Sequence, residues 1–93
     1  MNRKQQFEWS SLKEESNLRK HRVSFIEASS VFADELSEDF ADLDHSLDEE
    51  RWINIGQSDR GRLIIVCYSE REKTIRIISA RTATKREIKA YER

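Results

Sequence analysis

Four arginines carry the chemistry that this sequence offers. Arg62 and Arg76 begin or interrupt apolar runs, Arg81 lies at the exit of the last one, and Arg51 opens a further run from Trp52 to Gly56. An arginine inside an apolar strand either snorkels out of a half-covered face or lines a polar cleft. Neighbouring strands would bring several of these side chains together, which favours the cleft. Guanidinium groups keep their charge and donate two parallel hydrogen bonds to an oxyanion. The ligand they imply is an anion, and a phosphodiester is the best match. Lys85, Arg86, Lys89 and Arg93 follow Arg81 directly, so positive charge gathers along one connected stretch.

The elements that must position these residues are legible in the hydrophobic pattern. Gln6 to Trp9 alternates as a short first strand, and Ser10 or Ser11 starts a helix reaching about His21, with Ser11 and Glu14 spaced as a capping box. Leu12 and Leu18 are the only aliphatic side chains of that helix, so it should lie across the surface beside Trp9 and Phe25, with Asn17 and His21 tying helix to loop. Ser24 and Glu27 cap a second helix whose apolar stripe is Phe25, Ala28 and Phe32. A short edge strand is expected near Phe40, then a meander: Arg51 to Gly56, Arg62 to Ser69 and Thr74 to Arg81, joined by turns at 58–61 and 70–73. Thr84 and Glu87 open a last helix. The fold class is α+β, with two N-terminal helices on one face of a small, mainly antiparallel sheet and a short C-terminal helix after it.

Strict alternation along the last strand separates Thr74, Arg76 and Ile78 from Ile75, Ile77, Ser79 and Arg81. Arg76 and Arg81 can then serve one phosphate only if the strand twists or bulges near Ser79-Ala80.

Length and charge bound the rest. The 93 residues make one domain, 1–93, with a single thin core. A net charge of −1 removes the usual argument from high basicity to nucleic-acid binding. Its distribution is informative: 35–50 holds eight acidic and no basic side chains, whereas 60–93 holds ten basic and four acidic ones, which makes the molecule electrically two-sided. Cys67 is the only cysteine, inside the apolar run Leu63 to Tyr68, and reads as a buried, inert thiol. No apolar run approaches the ~20 residues of a membrane span, and no signal peptide opens the chain, so a cytoplasmic protein without a membrane role is expected. Two distant histidines and scattered carboxylates show no metal-ligand spacing, and no cofactor is expected.

Several segments resemble the BrnT family of bacterial toxins: Phe7-Glu8-Trp9, Asn17-Leu18-Arg19-Lys20-His21, Val23-Ser24-Phe25, Asp44-His45-Ser46, Glu49-Glu50-Arg51, Ile55-Gly56, Gly61-Arg62, and above all Ile75 to Arg81 with Ala83, Glu87 and Tyr91. Where the family usually has Asp after the tryptophan this chain has Ser10, and where it usually has Gly between the first two helices this chain has Arg22, which strains or reshapes that turn. The family's proline near the acidic segment is absent.

The resemblance implies a RelE-like fold and a ribonuclease that arrests translation. It also implies a BrnA-like antitoxin of ribbon-helix-helix type that represses the shared operon, with a heterotetramer of toxin and antitoxin dimer as the expected assembly. Metal-free RNA cleavage uses the 2′-hydroxyl as nucleophile and needs a base, an acid and cations for the phosphoryl oxygens. On this reading Arg62, Arg76 and Arg81 hold the phosphate, while His45, Glu50 and Tyr91 share the proton transfers. Arg51, Lys85, Arg86 and Lys89 contact RNA. Plainer roles stand beside these: Glu50 paired with Arg51 or Arg62, Glu87 as helix cap, Tyr91 as packing. The competing function is a binding module that holds nucleic acid or protein without cutting, such as a degenerate toxin kept for operon repression.

Overall fold

The structure, a computed structural model, describes residues 5–44 and 50–92, and two turns set its frame. Glu72 and Lys73 both have positive φ, 50° and 70°, in a two-residue turn between the paired Arg71 and Thr74. This geometry matches the natural twist of the strands it joins. Gly61, at φ 77°, closes the other turn, where Ser58 N–H donates to the Arg62 carbonyl. The turns connect β3 (Trp52–Gln57), β4 (Leu63–Arg71) and β5 (Thr74–Thr82) as an antiparallel meander. β1 (Gln6–Glu8) adds to β5 in parallel and β2 (Glu38–Ala41) adds to β3 antiparallel, giving the order β1-β5-β4-β3-β2. α3 (Lys85–Tyr91) follows β5. No helix among the described residues is long and apolar enough to cross a membrane.

The last strand is not regular. Tyr68 pairs with Ile77 and Cys67 with Ser79, so Ile78 is an extra residue in β5, a bulge. Alternation therefore resets. Ile75, Ile77 and Ala80 face the core, and Arg76, Ser79 and Arg81 share the opposite face. Strict alternation had parted Arg76 from Arg81; one inserted residue puts them on one side.

Core side chains of β4 and β5 (Ile64, Val66, Tyr68, Ile75, Ile77, Ala80) meet Val23, Phe25, Ala28 and Val31. Ser24 caps α2 (Phe25–Ser30), accepting from Glu27 N–H. The helix then tightens into a 3₁₀ turn at Val31–Ala33. Tightening turns Val31 fully inward and leaves Phe32 half-buried, edge-on to Tyr68 at 5.0 Å, so the expected stripe of Phe25, Ala28 and Phe32 shifts by one residue. Gly56 is where this turn crosses β3: a Cβ there would lie 2.6 Å from that of Ser37 and 3.0 Å from Val31 Cγ1.

α1 (Ser11–His21) is capped by Ser10, whose hydroxyl accepts from Lys13 N–H, so the box at Ser11 and Glu14 does not form. Glu14 accepts from Phe25 N–H instead, linking the two helices. Only Asn17 of α1 is buried. Its amide donates to the carbonyls of Val23 (2.9 Å) and Ala80 (2.7 Å) and accepts from Ala80 N–H (3.1 Å). β1 ends its pairing at Arg76, so Asn17 satisfies the edge of β5 that β1 leaves bare. α1 ends at Arg22, in the left-handed region at φ 59°, with its N–H on the Leu18 carbonyl.

Two stability predictions follow from this edge. Asn17→Ala orphans three backbone groups in the interior and should lower unfolding free energy by about 3 kcal/mol in urea titration. Arg22→Gly relieves a side chain held at positive φ and should raise it by about 1 kcal/mol, net of the added freedom of the unfolded chain.

Candidate active site

The face of the sheet turned away from the core carries a cleft of about 230 Å³. Its floor is Ile53, Ile65 and Cys67; Ser79 and Arg81 line it from β5, Arg51 and Asp42 from the opposite side, and His21 stands at the α1 end. Asp42 N–H donates to the Arg51 carbonyl at 2.8 Å, which fixes both sides of the chain where it leaves and re-enters this wall. Burial, and then the charge of Asp42, push the Cys67 thiol up, so it is a poor nucleophile.

Arg81 is held by a bidentate pair. Its two terminal nitrogens each donate to a Glu87 carboxylate oxygen at 2.9 Å. Glu87 also accepts from Thr84 N–H at 2.8 Å while Thr84 Oγ1 accepts from Glu87 N–H, the capping box that starts α3. One carboxylate thus serves a helix and a guanidinium. The Arg81 hydrogen bonds, followed by that of Thr84 N–H, pull the Glu87 carboxyl down to about 2.

The structure brings some of the sequence-predicted site residues together and parts others. Arg51 and Arg81 share the cleft. Arg76 lies on the same face but pairs with Glu8 at 3.3 Å across to β1. Arg62 does not join them: it points to the helix-covered side with Ile64 and Val66, where Nε donates to Glu27 at 2.9 Å and a terminal nitrogen donates to the Arg22 carbonyl at 3.1 Å. Glu27 is buried and also accepts from Ser58 Oγ at 2.7 Å, and the Arg62 hydrogen bonds lower its pKa. The convergence of all four arginines expected from the pattern is corrected here, because β4 alternation sends Arg62 to the other face. Tyr91 donates to the Leu36 carbonyl at 2.8 Å and borders a separate hollow with Glu38, away from the cleft. Lys85, Arg86 and Lys89 are exposed on α3, and Glu50 is exposed next to Arg51. His45 lies outside the described residues.

His21 is the cleft residue that sequence reasoning assigned elsewhere. Its spacing held the signal: four residues after Asn17, it shares the helix face that Asn17 turns towards β5.

The cleft thus sets two guanidinium groups, Arg51 and Arg81, on the open face of a small α+β sheet. A family described as "ribonuclease toxin, BrnT, of type II toxin-antitoxin system" matches residues 9–87. The chain belongs to the BrnT family. The crystal structure of the Brucella abortus ribonuclease toxin BrnT is similar in fold, with a TM-score of 0.67 at 19% identity, covering 88% of this chain and 100% of that one. No curated protein sequence matches the chain.

Acid should loosen α3. The Glu87 carboxyl is depressed from 4.5 to about 2, so its contribution is complete above the unfolded value and is lost as pH falls from about 4.5 through 2. Following helicity by circular dichroism over that range should show the loss, and Glu87→Gln, lacking it already at neutral pH, should show a flatter profile there.

Proposed function

We propose that this chain is a metal-independent endoribonuclease of the cytoplasm that arrests translation, with the cleft around Arg81 as its site. The observation that carries the reading is the Ile78 bulge, which sets Arg81 on the open face across from Arg51 in a chain of a ribonuclease toxin family. The fold is read as RelE-like, and the partner as a BrnA-like ribbon-helix-helix antitoxin whose dimer forms a heterotetramer with the toxin.

The attacking 2′-oxygen builds charge on the phosphoryl oxygens, and preoriented cations stabilise that charge most in the transition state. Arg81 and Arg51 take this role, with the phosphate displacing the Glu87 carboxylate from Arg81. Glu50, next to Arg51 in sequence, and His45, six residues before it, supply the base that takes the 2′-hydroxyl proton. Arg76 adds charge at the margin. Arg62 and Tyr91 act in folding: one ties the α1–α2 corner to β4, the other docks the end of α3.

Expression without antitoxin should stop growth, and purified protein should cut RNA in EDTA, leaving 2′,3′-cyclic phosphate ends. Arg81→Ala should reduce cleavage by about 100-fold or more while the fold is kept, and Arg76→Ala by less. RNA that is retarded but left intact would establish the non-catalytic binding module instead, and full activity of Arg81→Ala would remove the cleft from the chemistry.

A further inference from the structure

A second depression, of about 240 Å³, adjoins the cleft. Lys13, Ser16 and Lys20 of α1 line it, and it shares His21, Ile78 and Ser79 with the cleft, so the two form one groove passing over the bulge of β5. Lys13, Asn17 and His21 recur at four-residue spacing and therefore share one helix face. Asn17 anchors that face to Ala80, which fixes the height at which Lys13 and His21 stand beside the strand.

The charge on this face is not explained by the helix. Lys20 and His21 suit the C-terminal turn, but Lys13 sits in the first turn, where the helix dipole disfavours a cation. Among the described residues the ion pair within α1 is Arg19 with Glu15, and no carboxylate lies within salt-bridge distance of Lys13 or Lys20.

We propose that RNA entering the cleft continues over the β5 bulge onto α1, where Lys13 and Lys20 hold adjacent phosphates and His21, at the junction, protonates the leaving 5′-oxygen. This rests on the ribonuclease reading. Arg51, with Glu50 beside it in sequence, stands on one side of the cleft and His21 on the other, the opposed placement that an in-line displacement needs. As the 2′-oxygen to phosphorus bond forms and the phosphorus to 5′-oxygen bond breaks, the 2′-hydroxyl proton goes to the base. The imidazolium of His21 gives its own proton to the leaving oxygen and regains one from water.

A 2′-O-methyl RNA oligonucleotide binds without being cut, so it tests the track apart from catalysis. With Lys13→Gln/Lys20→Gln, affinity should fall and the slope of log affinity against log salt should drop by about 1.4, at ~0.7 per phosphate for a single strand. The charge-matched Arg19→Gln/Lys73→Gln, off the groove, should keep the wild-type slope. Equal slopes in wild type and the lysine variant, or equal losses in both variants, would overturn the track. His21→Gln should bind the blocked oligonucleotide as wild type does and cut RNA about 100-fold more slowly. It should still cleave a nucleoside 3′-(4-nitrophenyl phosphate), whose leaving group needs no proton, within a few-fold of wild type. Equal loss on both substrates, or none on RNA, would remove His21 from the acid role. A wild type that binds yet cuts neither substrate overturns the ribonuclease reading and the His21 role with it, while the salt slope still decides the track.

Discussion

The Asn17 amide on the backbone of Ala80 is the contact on which the rest of this structure depends. β5 is a nine-residue strand flanked on its outer side by only three residues of β1, so much of its edge would otherwise be bare. A side-chain amide offers the donor and acceptor that a neighbouring strand would have supplied. Placing that amide at the middle of α1 explains how a helix with so little apolar surface is held at all. The helix is attached by polar geometry rather than by burial, and its exposed Leu12 and Leu18 contribute little to the core.

That attachment lies two residues beyond the bulge at Ile78. A bulge disrupts a ladder locally, and here the disruption falls where the strand changes which residues it shows to the cleft. Asn17 holds the outer edge of the strand just past the irregularity, while β4 pairs along the inner edge on both sides of it. The arginine that the cleft relies on comes immediately after the clamped residue, so its position inherits the precision of the clamp.

Much of this was legible in the sequence. Alternation and turn residues gave the meander, the short strand near Phe40 and the last helix, because each depends on local pattern. The boundary of α1 slipped by one residue because Ser10 and Ser11 are equivalent as letters, and only the path of the chain decides which hydroxyl faces the free N–H groups. The arginines were harder. Arg62 looks like Arg81 in sequence, yet Glu27, distant along the chain, takes its guanidinium into a structural pair on the covered face. The bulge could be posed only as a condition, since nothing in Ile77-Ile78-Ser79 marks which residue the partner strand will skip. His21 was passed over because it was read by type rather than by the face it shares with Asn17.

The capping carboxylate of α3 has one more consequence. Glu87 is a built-in counterion for Arg81. A polyanion that takes Arg81 must displace that tethered carboxylate, a competition that the exposed lysines of α3 do not impose. Glu87 therefore sets a threshold at Arg81 that a ligand clears only by matching the two parallel hydrogen bonds the carboxylate gives up. Attraction to the surface and admission to the site are in this way separate steps, the first a matter of charge and the second of geometry.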